Sequence, residues 1–501
     1  MVSLRWYLPP VLLALAPLAT VVGANLGNVP LRPEVVTRSA LTAAGGAAVV
    51  LLVLRLVRRD LAARSAWLWW FLLLSTLYGA SARGLQYLGL PILATDPLFA
   101  VPYVLTSAVV AAVASRPWEV RPRDPVPMTV VAALFVLVGL IPAGAQERRT
   151  TRPWEATADA LIESALSRQS APATVPSRDI YYVVIDSLGS PDTLRRSYGV
   201  NLAPFVDALR ARGFYVVEGA RSNYAQTYLS LASTLNMDYL DGIAGRVGRS
   251  TTTRDPLGYL IEDNALMRMA SRVGYRVVAI GSGYMATRRF PRADVCVCSL
   301  SGLDDIETAT LALTPLAAAP LEWSSRVDRY AVHRRRIINA FGALTEYGGS
   351  TRPAFVFAHI LAPHPPFVFA RDGTPLRHPR AEFRDAYGQQ SQYALTRTLA
   401  VVDALLARPG RPPAIVVHAD HGPARDILDR INDQGIGIQE RMEIFAAYYF
   451  PGASPGFYPG MTPVNGARLL AREYLGADLP PLPDRVMFSP LDRPYDFVPV
   501  P

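Results

Sequence analysis

Lysine is absent from this 501-residue chain, and all 50 of its basic residues are arginine. Schiff-base chemistry and a P-loop both need a lysine, so both are excluded. Cysteine is almost absent too. With only Cys296 and Cys298, a disulfide-built scaffold is excluded. Charged residues make up 18% of the chain and hydrophobic ones 50%, against roughly 25% charged in ordinary soluble domains. That balance excludes a disordered chain. Internal repeats and low-complexity tracts are also missing, and Gly-Ser-Gly at 281–283 lacks the rest of a dinucleotide fingerprint.

What the chain does have is apolar length at its start. Stretches of about 20 residues, enough to cross a bilayer, fall at 8–26, 39–57, 65–82, 97–115 and 127–146, with no charge at any midpoint. The first has the form of a signal peptide, with Arg5 ahead of it, but four more follow, so it is expected to stay as a start-transfer helix. Alternate flanks are arginine-rich: Arg5, then Arg55, Arg58, Arg59 and Arg64, then Arg116, Arg121 and Arg123. The opposite flanks hold only Arg32, Arg38 and Arg83. The positive-inside rule then puts the N-terminus in the cytoplasm and everything after about residue 146 outside it. Arg148, Arg149 and Arg152 run against the rule, but they precede a long translocated domain, where it is weak. Six of the seven tryptophans lie in or beside this region, as an interfacial belt requires. Residues 1–146 are therefore expected to form a helical transmembrane bundle of about five helices. Without midplane charges it is an anchor rather than an ion path.

Residues 147–177 pass from charge through a short amphipathic stretch into a Pro/Ser/Ala tether, and are expected to be a linker. Residues 178–501 are long enough for one large domain. Five apolar, β-rich runs (180–186, 275–281, 353–361, 414–420 and 443–450) alternate with segments of helical spacing. Near-continuous apolar strands between helices predict an α/β domain with a mostly parallel central sheet covered on both faces.

Polar residues close several of these strands. Asp186 ends the first, His359 falls near the end of the third, and Asp420-His421 ends the fourth. Sites in such sheets assemble at the carboxyl edge. The six histidines all lie within 89 residues, two of them in HILAPHPPF (His359, His364) and two in HADHGP (His418, His421). Asp420-His421 offers a carboxylate and an imidazole to one divalent cation, and Asp186 can complete the set. Thr227 opens an amphipathic helix, where backbone N–H groups favour a phosphate or sulfate. Taken alone, Thr227 reads first as an N-cap, the commoner role for Thr at a helix start.

The ordered set changes that reading. YYVVIDSLG, then Thr227, Ser230 and Ser233 in T-x-x-S-x-x-S, then His359 and His364 in H-x-x-x-x-H-x-P, then a late Asp-His-Gly resemble the alkaline phosphatase/sulfatase superfamily. The nearest likeness is to its membrane-anchored branch of lipoteichoic acid synthases and phosphoglycerol and phosphoethanolamine transferases. The resemblance implies an alkaline-phosphatase-like α/β sandwich outside the cytoplasm, periplasmic or extracellular. It implies a divalent cation, Mn2+ or Zn2+ with Mg2+ a third choice, held by Asp186, Thr227, Asp420 and His421. Thr227 would be the nucleophile, and His364 and His359 would contact the phosphate or leaving group. The partners implied are a membrane lipid donor resembling phosphatidylglycerol and a glycan or lipid acceptor. Phosphoethanolamine transferases carry a further histidine a dozen residues after Asp-His-Gly, where this chain has only Arg425 and Arg430. A phosphoglycerol-like head group is therefore expected.

Two rivals follow. A hydrolase of the same superfamily, phosphodiesterase or sulfatase-like, would use water as acceptor. The formylglycine chemistry of true sulfatases needs C/S-x-P-x-R, found neither at Thr227 nor in CVCSL. The other rival is a non-catalytic membrane sensor. Cys296 and Cys298 are either free thiols or a bridge. The Arg334–Arg336 run reads as a solvated helix face, and Gln390, Gln392 and Tyr393 are candidates for an acceptor cleft. The net charge of +9 divides into +6 over residues 1–177 and +3 over 178–501. The basic excess therefore sits in membrane flanks and tether, and no nucleic-acid partner is expected.

Overall fold

The computed structural model describes residues 4–25, 33–56, 60–87, 97–120, 124–147, 153–170, 178–298, 305–318, 329–348, 352–376, 383–423 and 436–501. Contacts divide the chain into two units, Met1–Thr151 with Gly302–Asp328, and Arg152–Ser301 with Arg329–Pro501.

The first unit is helical. Leu8–Ala14, Ala16–Asn25, Pro33–Val53, Leu61–Thr76, Tyr78–Tyr87, Pro97–Val120 and Val126–Glu147 are its longer helices. Two windows, Val36–Val53 and Phe99–Pro117, are long and apolar enough to cross a membrane, while the apolar helices Leu8–Ala24 and Val126–Leu140 are shorter. The expected span at 65–82 falls on two helices that break at Leu77. These apolar helices are turned outward: Leu41, Leu105, Val109 and Val138 are each more than 60% exposed. Polar groups are turned inward. Trp69 Nε1 donates to Met128 O at 3.1 Å, and Arg64 Nη1 donates to Leu51 O at 3.0 Å. Gly23 and Gly139 let two helices meet at backbone distance, since a Cβ on Gly23 would lie 1.9 Å from Gly139 O. Small residues serve this purpose in membrane bundles.

The Gly302–Asp328 segment, expected within the α/β domain, belongs to this helical unit. Its helix Asp305–Ala312 is fastened by Glu307, whose carboxylate accepts from Arg38 Nε at 2.7 Å and Nη2 at 2.6 Å. A bidentate arginine–carboxylate pair of this kind is both strong and directional.

The second unit is an α/β fold around a seven-stranded sheet of order β2-β7-β6-β1-β5-β3-β4. The strands are β1 (Ile180–Ile185), β2 (Tyr215–Val216), β3 (Arg276–Ile280), β4 (Val295–Val297), β5 (Ala354–Ile360), β6 (Ala414–His418) and β7 (Ala446–Tyr449). β4, β3, β5, β1 and β6 run parallel, and β7 pairs antiparallel with β6 and with β2. All five runs read as strands in the sequence are strands here. β1, β5 and β6 are buried along their whole length, as their near-continuous apolar sequence requires. β2 and β4, two and three residues long, were too short to show a periodicity. The 147–177 stretch is not all tether. Glu155–Leu166 is a helix whose Ala158, Ile162, Ala165 and Leu166 join the core of the second unit, while 171–177 lies outside the described residues.

Candidate active site

The register of the sheet brings the candidate residues to one edge. Val184 of β1 is level with His359 on β5 and with His418 on β6. Asp186 follows β1 directly and is tied to β5 by its N–H to Ile360 O at 2.9 Å. Asp420-His421 lies just past β6. Thr227 opens the helix Thr227–Asn236. This is the carboxyl edge, where parallel sheets of this type build sites.

Asp186, Asp420 and His421 form a cluster in which one ligand atom from each lies within 4.8 Å of the others, and all three residues are buried. His421 Nε2 is 3.3 Å from Asp420 Oδ2, 3.7 Å from Asp186 Oδ1 and 3.0 Å from Thr227 Oγ1. Metal–ligand bonds of 2.0–2.2 Å in a tetrahedron separate neighbouring ligand atoms by about 3.4 Å. Hydrogen bonding fixes how each ligand is presented. His421 Nδ1 donates to Gly422 O at 3.0 Å, so Nε2 carries the lone pair. Asp420 Oδ1 accepts from the N–H groups of Ser187 and His421, both at 3.0 Å. Its Oδ2 and Asp186 Oδ1 are buried without a hydrogen-bond partner among the described residues. Buried carboxylate oxygens left without donors are costly. A divalent cation satisfies both of them together with Nε2, so the donor set fits the expected metal.

Charge in the cluster is finely set. Burial pulls the Asp186 pKa upward, but His364, His359 and His421 outweigh it and hold the carboxyl well below the usual carboxylate range. Burial, reinforced by Arg441, lowers His421 to about 4, leaving it a neutral imidazole fit to coordinate. Ser187, next to Asp186, has φ 68°. A non-glycine residue in the left-handed region costs about 1–3 kcal/mol. Tyr387 holds it there, donating its hydroxyl to Ser187 O at 2.9 Å and accepting from Gly189 N–H at 3.1 Å.

The two histidines of HILAPHPPF differ. His359 is fully buried, its Nε2 lies 3.4 Å from Asp186 Oδ2, and that nitrogen has no hydrogen-bond partner. Its Nδ1 is 2.8 Å from Thr287 Oγ1, which is 2.7 Å from Ser282 Oγ. His364 is half-buried, with Nδ1 donating to Pro365 O at 2.5 Å, which leaves Nε2 as the acceptor nitrogen. Its backbone is braced by Gln390, whose amide donates to His364 O at 3.0 Å and accepts from Val368 N–H at 2.7 Å. Gln390 is thus a buried brace rather than a cleft residue, and Tyr393 stacks on Phe369 at 4.0 Å. Tyr284, half-buried, stands edge-on to Tyr228 at 5.6 Å and to His359 at 6.4 Å, forming a wall beside Thr227.

His418 stays out of the cluster. It bonds Tyr182 Oη at 3.0 Å through Nε2, and burial lowers it to about 4. Sequence reading missed Thr287, Ser282 and Arg441, which act through side chains far away in sequence. It also missed His333, buried with Nε2 unpartnered and lowered to about 3 by burial first and then by His364. Its place in the Arg334–Arg336 helix hid it, and those arginines are half-buried rather than solvated. Arg425, Arg430 and His378 lie outside the described residues. Cys296, the middle residue of β4, and Cys298, just past its end, form a disulfide.

Among known proteins, no family model and no curated sequence matches this chain. Several solved structures are similar to it. One is the C-terminal periplasmic domain of EptC from Escherichia coli, at 11% identity over 64% of this chain and 91% of that one, TM-score 0.41. A second is the integral membrane lipooligosaccharide phosphoethanolamine transferase EptA from Neisseria meningitidis, at 14% identity over 89% of this chain and 88% of that one, TM-score 0.33. A third is a phosphonate monoester hydrolase from Silicibacter pomeroyi, at 16% identity over 60% of this chain and 74% of that one, TM-score 0.37. At such scores they fix no chemistry for this chain, which stands on the site just described.

Proposed function

We propose that the chain is a membrane-anchored, metal-dependent phosphotransferase that moves a phospho head group from a lipid donor to an extracytoplasmic acceptor through Thr227. One observation carries the reading: buried Asp186 Oδ1 and Asp420 Oδ2, without a hydrogen-bond partner among the described residues, lie 3.7 and 3.3 Å from His421 Nε2, which is 3.0 Å from the hydroxyl of Thr227. A structural hydroxyl or N-cap has no need of two orphaned carboxylate oxygens beside it, and a sensor has no need to bury them.

Asp186, Asp420, His421 and the Thr227 oxygen would hold the cation, Mn2+, Zn2+ or Mg2+. When bound, it supplies Lewis acidity, which lowers the hydroxyl pKa and offsets charge on the attacked phosphorus. Thr227 Oγ1 passes its proton to His364 Nε2 and attacks in line, the Oγ–P bond forms as the bond to the lipid alcohol breaks, and a phosphothreonine remains on the chain. His364, the more exposed of the two loop histidines, gives that proton to the departing alkoxide, then takes one from the acceptor hydroxyl as its oxygen attacks phosphorus and returns it to Thr227 Oγ1 as the Oγ–P bond breaks. His359, held by Thr287, stays beside Asp186 and orients the phosphoryl oxygens.

The lipid donor is supported by the first unit. Its outward faces are apolar where a soluble protein would be polar, and the arginine flanks put residues after about 146 outside the cytoplasm. Five spans in a bacterial inner or plasma membrane complete this reading. Tethering to the bilayer raises the effective concentration of a lipid substrate. The lack of a histidine after Asp-His-Gly favours a phosphoglycerol-like head group. The acceptor, a glycan or lipid, distinguishes transfer from hydrolysis.

The test uses the full chain in detergent or liposomes with phosphatidylglycerol labelled in its head group and each metal in turn. Diacylglycerol release with a mass adduct on Thr227 supports the proposal. Release without any adduct, or full turnover by Thr227→Ala, would overturn it. Label recovered only as the free phospho head group would convert the reading to a hydrolase.

A further inference from the structure

Arg441 is not among the residues that converge at the sheet edge, yet its guanidinium reaches both loops that carry them. It is 5% exposed. Nε donates to Ala225 O at 2.7 Å, two residues before Thr227, and Nη1 donates to Gly422 O at 3.2 Å, one residue after His421. The Gly422 carbonyl is a junction. It also accepts from His421 Nδ1 at 3.0 Å and from Ser187 Oγ at 3.3 Å. The chain is held from the other side as well, because Gly422 N–H donates to Arg441 O at 2.7 Å. Main chain and side chain of one residue therefore clamp the Asp-His-Gly loop, and the far arm of the same side chain holds the loop leading into the Thr227 helix.

We propose that Arg441 is a positioning residue that fixes the distance between the Thr227 hydroxyl and the Asp420–His421 pair. This rests on Thr227 being the nucleophile. Two carbonyls in different loops need two donors in a rigid, planar arrangement. A guanidinium has that shape, whereas a lysine ammonium is a single point on a flexible stem. Ala225 and Gly422 are 197 positions apart in sequence. Ser222 Oγ, donating to Asp420 O, joins the two loops at one point, Arg441 joins them at a second, nearer Thr227, and the 3.0 Å Thr227–His421 contact depends on the position of both loops. Misplacing an attacking atom by about 1 Å costs on the order of 100-fold in rate.

The experiment compares wild type, Arg441→Met, Arg441→Gln and Arg441→Lys as full chains in detergent, with saturating Mn2+ and a soluble phosphodiester, bis(p-nitrophenyl) phosphate. Arg441→Met is expected to lose about 100-fold in kcat with KM changed less than about threefold, and its Thr227 adduct forms correspondingly slowly in a single turnover. Arg441→Lys, able to reach one carbonyl at a time, recovers part of the loss. A merely structural role would lower the folded fraction and leave kcat per folded molecule alone, so near-ultraviolet circular dichroism is read in parallel. Unchanged kcat per folded molecule in Arg441→Met would overturn the proposal. Should that variant not fold, wild-type kcat in both Arg441→Lys and Arg441→Gln does the same. Loss of turnover cured by more metal also overturns it, because the defect would then lie in affinity. Wild type without turnover or adduct removes the nucleophile reading itself, a result distinct from active wild type with unaffected Arg441 variants.

Discussion

Thr227 is 8% exposed, while Asp186, Asp420 and His421 are at 1% or less. Thr227 is thus the least buried residue of the set, as the proposed nucleophile requires. Thr227→Ala should drop kcat by at least about 10³-fold and abolish the protein-bound phosphate, while Thr227→Ser keeps measurable turnover; steady-state rates and intact mass report both. Asp186→Asn removes one carboxylate charge from the cluster at almost constant volume. Metal titration by calorimetry should show affinity weakened at least about tenfold, and if the metal binds as tightly as in wild type, Asp186 is not a ligand. His418 gives a separate, pH-dependent expectation. Burial lowers it from 6.5 to about 4, so between those values the unfolded chain binds a proton that the folded chain refuses. Stability is therefore full above about pH 6.5 and declines as pH falls toward 4, by up to about 3 kcal/mol for this one group. Denaturant melts of His418→Gln should show a shallower decline over that window than wild type, and parallel curves would refute the assignment.

The elements act as presenters. Parallel pairing of β1 with β5 and β6 sets His359 and His418 level with Val184, and Asp186 and Asp420 each follow two residues further on, past the ends of their strands. Gly422 is the element-scale counterpart of Arg441. A Cβ there would lie 1.9 Å from Glu440 O and 2.9 Å from Glu443 O, both backbone atoms. Gly422→Ala must push two main-chain segments apart, so it should cost at least the 1–3 kcal/mol typical of overpacking and weaken metal binding through His421. Thermal melts with and without metal measure the two effects, and an alanine variant with wild-type melting and metal affinity would contradict the packing described. The strands were legible because each is a continuous apolar run. The two short strands and the loop holding Thr287 and Ser282 were not, since hydrogen bonds to a residue 72 positions away leave no local pattern.

At the scale of the whole molecule, the boundaries are less simple than composition implies. The helix Glu155–Leu166 buries Ala158, Ile162 and Leu166 in the α/β core, where each large aliphatic side chain is worth about 1.5–3 kcal/mol. A chain started at Arg178 should therefore melt well below one started at Pro153, and equal melting temperatures would show that the helix is dispensable. The segment 302–328 departs from the α/β unit and joins the helical one, fastened by Glu307 to Arg38. Burial periodicity could not reveal this, because a short helix looks alike in either setting.

By itself the sequence determined the apolar helices and the alternation that makes a parallel sheet, and it offered Asp186, His359, Asp420 and His421 as candidates. These follow from local physics: bilayer-length hydrophobicity, strand periodicity, and polar residues placed where a strand ends. Thr227 and His364 entered as candidates through the resemblance of the ordered motifs. The tertiary structure decided which nitrogen of His421 carries the lone pair, which carboxylate oxygens lack donors, and that His418 is a core residue although it lies three positions from His421. It also decided that Arg441 spans two loops and that His333 is buried near His364. Each of these depends on atoms brought within about 3 Å by the folding of distant segments, and hydrogen-bond partnership at that range is written in three dimensions rather than in sequence spacing.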